Sequence, residues 1–190
     1  MEPAQIAILV AIAVVLIALI AWIFITRSVL AKKRDRVDDD WGAIQVQLKR
    51  RADLLPGLSD AVREYVDEDN RVFRDAEQAR AATLDASSPT AMSDAENGLQ
   101  GAMRALFGVA QSHPQLTSAS HFVHLQSDLV QTEDKIQASR RRYNSSVRTY
   151  NAAVKRFPNK LVAGMFHHEP REFFEVADRA AIAEPPRVQF

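Results

Sequence analysis

The chain contains no cysteine among its 190 residues. Disulfides, thiolate catalysis and Cys-ligated zinc sites are therefore excluded. Glycine and proline are scarce, with 6 and 8 residues, and no stretch sustains the alternation of apolar and polar residues that marks a strand. Because alanine-rich sequence with few helix breakers is typical of helices, the predicted fold class is all-α.

An excess of either charge is also absent, since 24 Lys and Arg balance 24 Asp and Glu. From Val37 onward the chain has 19 basic and 22 acidic residues. Nucleic-acid-binding domains carry a clear basic excess, so this balance gives no indication of a nucleic-acid partner. The roughly 160 residues beyond the N-terminal region are enough for one ordinary domain.

One long hydrophobic run is present, Ile6–Ile25, with twenty apolar residues and no charge, Gly or Pro. At 1.5 Å per residue it spans about 30 Å, the hydrocarbon thickness of a bilayer. It predicts a transmembrane helix rather than a cleaved signal peptide, because no basic residue precedes it. Lys and Arg crowd its C-terminal flank, which predicts the N-terminus outside the cell and the large domain inside. The residues assigned to the membrane interface are Trp22, Arg27, Lys32, Lys33, Arg34 and Arg36.

Two seven-residue repeats of apolar residues predict long amphipathic helices. One repeat predicts a helix over residues 119–156, and its members are Phe122, Leu129, Ile136, Tyr143, Tyr150 and Phe157. The other predicts a helix from about Asp38 to Ala81, and its members are Trp41, Leu48, Leu55 and Val62. Pro56 lies within this second pattern, and proline removes a backbone donor, so a kink or break is expected near Asp53. A third, shorter helix is predicted over residues 90–111.

These elements predict an N-terminal transmembrane helix followed by an antiparallel up-down bundle of three long helices and a short C-terminal helical segment. The expected organisation has five parts. They are a short external tail (1–5), a transmembrane helix (6–26), a basic juxtamembrane segment (27–37), the helical bundle (38–160) and a C-terminal segment packed on the bundle (161–190).

Four separated motifs resemble the LemA family of bacterial membrane proteins. They are Trp41–Leu58, Arg141–Asn151, Arg156–Gly164, and Phe173-Phe174 with Pro185–Phe190. The resemblance covers nearly the whole chain, and it implies a helical bundle on a single-pass inner-membrane anchor. It implies no enzymatic activity or cofactor, and it suggests a scaffold or adaptor with links to envelope stress.

Histidine is the residue type that offers an alternative function. His121 and His124 share a helix face, and His113 lies across the preceding turn, so the three could ligate one metal ion. A metal-dependent sensor or enzyme is therefore the second hypothesis. Neither a His-Glu-x-x-His nor a Gly-x-Ser-x-Gly motif occurs, and we assign no catalytic, cofactor-binding or metal residues.

The remaining polar motifs are predicted to serve packing or partner binding. Tyr143-Asn144 recurs as Tyr150-Asn151, and we expect the rings to fill the core while the amides bridge to a neighbouring helix. The basic trios Lys49–Arg51 and Arg140–Arg142 are predicted to lie on solvated faces where they pair with acidic residues, and docking of an acidic partner is the alternative. An unidentified membrane or cytoplasmic protein is the expected partner beside the lipid bilayer, and homo-oligomerisation stays open. The candidate interaction surface comprises Arg140, Arg141, Arg142, Phe166, Phe173, Phe174 and Phe190.

Overall fold

The structure is a computed structural model, and it describes residues 3–65 and 71–175. These residues form six helices: α1 (Pro3–Arg63), α2 (Arg71–Asp85), α3 (Pro89–Gln111), α4 (Pro114–Thr117), α5 (Ser120–Lys155) and α6 (Asn159–Met165). Within the described ranges there is no strand, which confirms the all-α prediction. The chain forms two compact units. The first unit comprises Met1–Asp39 and Ser145–Arg171, and the second comprises Asp40–Asn144 and Glu172–Phe190.

Helix α1 is 61 residues long and joins the apolar run to the first helix of the predicted bundle. No Gly or Pro interrupts residues 27–37, so nothing in the sequence ends the helix between the two predicted elements. Among the described residues it is the one helix long and apolar enough to cross a membrane, and none of its most apolar 18-residue window is buried by protein. An apolar surface of this kind needs a nonaqueous surrounding.

The second predicted helix continues through Pro56, so of the kink or break expected near Asp53 the break does not occur. The helix also ends at Arg63 instead of continuing to Ala81, and α2 begins at Arg71. Three consecutive acidic residues, Asp67 to Asp69, follow this end, and negative charge at a helix C-terminus opposes the helix dipole.

The core of the second unit is built from apolar faces of α1, α2, α3 and α5. Leu55, Leu58, Leu99 and Leu106 are almost fully buried there, and Phe122 joins them from the start of α5. Helix α3 begins with a regular cap, in which the Ser88 hydroxyl accepts a hydrogen bond from the Ala91 amide at 3.1 Å, just before Pro89 at the first helical position. The third predicted helix, over 90–111, is thereby confirmed.

The seven-residue repeat of α5 is buried along its length except at its last member. Phe122, Leu129, Ile136, Tyr143 and Tyr150 are at most 8 % exposed, whereas Phe157 is 76 % exposed. Phe157 follows the last helical residue, Lys155, so the helical register that buries the other members no longer directs it inward. In the first unit Leu30, Val37, Val147 and Val162 are also buried.

Helix α6 ends in a reversal of the chain at His167. The His168 amide donates to the Ala163 carbonyl at 2.9 Å and the His167 amide approaches the Gly164 carbonyl at 3.5 Å, a Schellman pattern. His167 adopts the left-handed conformation, with φ 54°, that this cap requires. The predicted short C-terminal helical segment is present as α6, which ends at Met165, and residues 168–175 are not helical. Phe190 lies outside the described residues.

Candidate functional site

The asparagines of both Tyr-Asn pairs of α5 bind backbone groups of the C-terminal segment. In the second unit the Asn144 amide nitrogen donates to the Phe174 carbonyl at 3.0 Å, and the Phe174 amide donates back to the Asn144 carbonyl oxygen at 3.0 Å. The Tyr143 hydroxyl donates to the Glu172 carbonyl at 2.8 Å. The asparagine thus pairs with the backbone as a neighbouring strand would, instead of bridging to a helix as predicted.

Aromatic packing closes this site. Phe174 is fully buried, and the Trp41 ring lies 5.9 Å from it and 5.4 Å from the Tyr143 ring, measured between centroids. At the surface the Thr90 hydroxyl donates to a Glu172 carboxylate oxygen at 2.9 Å. The segment is therefore held by paired amides on one side and by an aromatic cluster on the other.

The second Tyr-Asn pair repeats the arrangement in the first unit. The Asn151 amide nitrogen donates to the Arg171 carbonyl and the Arg171 amide donates to the Asn151 oxygen, both at 2.8 Å. The Arg171 guanidinium also binds the Asp38 carboxylate, at 2.9 and 3.3 Å. An asparagine side chain can pair with a backbone in this way because its amide carries both a donor and an acceptor.

Tyr150 and His168 form the remaining polar contact of this unit, with the hydroxyl 3.3 Å from the imidazole Nδ1. Burial raises the pKa of Tyr150, and the nearby positive charges of Arg171 and Arg34 partly oppose that rise. Burial lowers the pKa of His168, and the charges of Arg34 and Arg27 lower it further. Both shifts favour the neutral forms, so the contact is a hydrogen bond between a neutral phenol and a neutral imidazole.

A buried charge cluster links three helices of the second unit. Arg51 of α1 forms ion pairs with Glu96 of α3 and Glu133 of α5. Arg51 is 4 % exposed and Glu96 is fully buried. Burial lowers the pKa of Arg51 to about 10, so the guanidinium remains protonated at neutral pH.

The prediction of a solvated face is therefore wrong for Arg51. It occupies the seam between Leu48 and Leu55, three residues after one and four before the other, where the sequence pattern calls for an apolar side chain. The burial of Arg51 could have been predicted from this position in the sequence, because a charged side chain on a buried face needs a partner of opposite charge. Gln100 supports the cluster by donating to Glu96 at 3.1 Å.

The predicted interaction residues lie in different environments. Arg141 and Arg142 are exposed on α5 and Arg140 is half-buried. Phe174 belongs to the core, so it does not offer a surface to a partner, whereas Phe173 is 39 % exposed. Phe166 is half-buried with the Arg27 guanidinium 4.6 Å from its ring centroid.

The basic residues predicted for the membrane interface are largely solvent-accessible. Arg27, Lys32, Arg34 and Arg36 are exposed, while Lys33 and Trp22 are half-buried. A surface cavity of about 290 Å³ opens in this region, and its lining residues are Lys32, Lys33, Arg36, Ser145, Ser146 and Thr149. Lysine, arginine and hydroxyl donors of this kind suit an anionic headgroup or phosphate.

The histidines do not assemble a metal site in the part of the chain that the structure describes. His113 Nδ1 lies 3.1 Å from the Val109 carbonyl oxygen, and its ring packs near Tyr65 at 6.1 Å between centroids. His121 and His124 are exposed on α5. Across residues 3–65 and 71–175, no three His, Asp or Glu side chains are grouped to hold a metal ion.

Comparison of the sequence with known proteins identifies one family and several similar proteins. The family model described as LemA family matches residues 40–190. The chain is similar to magnetosome protein MamQ of Magnetospirillum gryphiswaldense, with 29 % identity over 90 residues, which are 47 % of this chain and 33 % of that protein. Magnetosome protein MamQ 2 of Paramagnetospirillum magneticum is 28 % identical over 85 residues, which are 45 % of this chain and 31 % of that protein.

A longer match is to protein LemA of Metamycoplasma hominis, with 22 % identity over 141 residues, which are 72 % of this chain and 63 % of that protein. The chain spans about a third of the length of the MamQ proteins that it matches. The motif Trp41–Leu58 and the Tyr-Asn pairs all lie within the range that the family model matches.

Proposed function

Because this chain belongs to the LemA family, we propose that it is a single-pass anchored scaffold or adaptor of the bacterial inner membrane. Its N-terminus lies outside the cell and its helical bundle lies in the cytoplasm. The observation that carries the proposal is the continuity of α1, whose unburied apolar window and whose bundle residues belong to one helix.

The orientation rests on the basic residues at one flank of the apolar window. Arg27 and the cluster Lys32–Arg36 follow the window, while its N-terminal flank holds no Lys or Arg. Basic residues beside a transmembrane helix stay in the cytoplasm. The bundle is on the basic side and is therefore cytoplasmic.

A scaffold role is supported by how the bundle uses its polar groups. Tyr143 and Asn144 hold the chain's own C-terminal segment, and Arg51 pairs with buried carboxylates. These contacts hold the helices and the C-terminal segment in one arrangement. A protein that binds a partner through a defined surface needs its residues held in place in this way. We further propose that the surface around Arg141, Arg142 and Phe173 contacts that partner, and that envelope stress is the process it serves.

The orientation can be tested by cysteine accessibility, since the natural chain has no cysteine. Ala4→Cys and Ser87→Cys place single thiols at exposed positions on opposite sides of the apolar window. In intact spheroplasts a membrane-impermeant maleimide should label Ala4→Cys, and it should reach Ser87→Cys only after lysis. Labelling of Ser87→Cys before lysis would mean that the bundle faces outward.

The scaffold role requires a crosslinking experiment in cells. A photoreactive amino acid at Arg141 or Phe173 of the full-length protein should give one discrete crosslinked product. Lys135, also exposed on α5 but outside the proposed surface, provides the matched control. A product of twice the chain's mass would identify a second copy as the partner, and equal products from all three positions would contradict a defined surface.

A further inference from the structure

Two apolar side chains of α6 form one exposed face. Leu161 and Met165 are spaced four residues apart and are 61 % and 63 % exposed, and Phe157, in the turn before α6, is 76 % exposed. Residues four apart in a helical segment lie on the same side. The opposite side of α6 is buried through Val162 and Ala163, so the helix is amphipathic with its second apolar face left open.

The position of α6 is defined by Phe166 in the first unit. This residue follows α6 directly, and its ring centroid lies 4.6 Å from the guanidinium carbon of Arg27. Arg27 comes two residues after Ile25, the end of the apolar run, which is about 3 Å along α1. The exposed face of α6 therefore lies beside the C-terminal end of the apolar window of α1.

Basic residues border the same face. Lys155, Arg156 and Lys160 are all exposed, and the nearby sequence from Phe157 to Met165 contains no acidic residue. Apolar side chains flanked by Lys and Arg are the pattern of a segment that lies in the membrane interface and meets anionic headgroups. Charge complementarity and continuity with the apolar window therefore select the lipid bilayer as the occupant of this face.

We propose that α6 is an interfacial helix that inserts Leu161 and Met165 among the lipids beside the transmembrane segment. This inference rests on the proposed membrane anchor, but not on its orientation. The first unit then meets the bilayer at two points, α1 and α6. Two points of contact restrict tilting of this unit, which a single helix crossing the membrane does not.

Depth-dependent fluorescence quenching in the full-length protein tests the proposal. Single cysteines at Leu161, Met165, Val130 and Ile17 are labelled with an environment-sensitive nitrobenzoxadiazole dye. The proteins are reconstituted into vesicles of phosphatidylethanolamine and phosphatidylglycerol that contain lipids with a nitroxide on the acyl chain. All four residues are exposed, so the labels do not disturb the protein core.

We expect quenching at Leu161→Cys and Met165→Cys to be several-fold stronger than at Val130→Cys. Val130 is the matched control, an exposed apolar residue of α5 that precedes Phe157 by about 40 Å of helix. Quenching at Leu161→Cys that equals the Val130→Cys value would overturn the proposal. So would blue-shifted emission without lipid quenching, because it would place this face against protein.

The Ile17→Cys label separates this inference from the anchor on which it rests. Ile17 lies in the apolar window, so strong quenching there is required by the anchor alone. Quenching at Ile17→Cys without quenching at Leu161→Cys would refute the interfacial helix and retain the anchor. A lack of quenching at Ile17→Cys would refute both.

Discussion

Replacing Arg51 with methionine tests whether the buried charge cluster holds α1, α3 and α5 together. Methionine keeps most of the volume of the side chain and removes its charge, which leaves Glu96 fully buried without its cationic partner. Breaking a buried ion pair in this way costs about 3–5 kcal/mol. With a urea dependence of about 2 kcal/mol per molar, the unfolding midpoint should fall by about 2 M.

The pH dependence of this loss distinguishes a stranded charge from a packing defect. A buried carboxyl without a counter-charge has a raised pKa, so Glu96 in Arg51→Met folds most favourably when it is protonated. The stability difference from the parent should therefore be small near pH 4 and grow as the pH rises. Circular dichroism of the detergent-solubilised full-length chain, followed through urea titrations at several pH values, measures both quantities.

A double-mutant cycle completes the test of the cluster. Arg51→Met combined with Glu96→Gln removes both buried charges, and it should recover most of the stability that Arg51→Met loses. Glu133 then needs no partner, because it is 37 % exposed. A loss below about 1 kcal/mol for Arg51→Met, or a loss that does not change with pH, would show that the cluster does not carry the stability assigned to it.

Three further predictions concern single side chains. Ile136→Ala should lower the unfolding free energy by about 2–5 kcal/mol and Ile136→Val by about 0.5–1.5 kcal/mol, because this residue is 2 % exposed. Urea unfolding that showed no difference between the two variants would contradict the burial of Ile136. Asn144→Ala should increase hydrogen exchange at the Phe174 amide, which loses its acceptor, and leave the Arg171 amide protected. His167→Gly should raise the unfolding free energy by roughly 0.5 kcal/mol in thermal unfolding. The strain relieved at the left-handed φ exceeds the entropic cost of the more flexible unfolded chain, and a destabilised variant would contradict this.

The helices and the apolar window could be predicted from the sequence because each depends on local pattern. Twenty uncharged apolar residues are long enough to span a bilayer whatever follows them. The repeat from Phe122 to Tyr150 predicted the buried side of α5 correctly, since a helix brings every seventh residue to nearly the same side. Pro56 left a kink and a break both open, and the helix continues through it because tertiary packing can hold a helix through a missing backbone hydrogen bond.

Tertiary structure alone decided which residues the polar side chains meet. The sequence indicated that Asn144 and Asn151 repeat at seven residues, but their partners lie 30 and 20 positions away, respectively, in a segment that has no periodicity of its own. In the same way, the sequence shows that Arg51 is a charged residue on an otherwise apolar helix face. Its partners, Glu96 and Glu133, are identified only by the packing of three helices. Local periodicity determines which face of a helix is buried, whereas the choice of partner depends on distances between residues far apart in the chain.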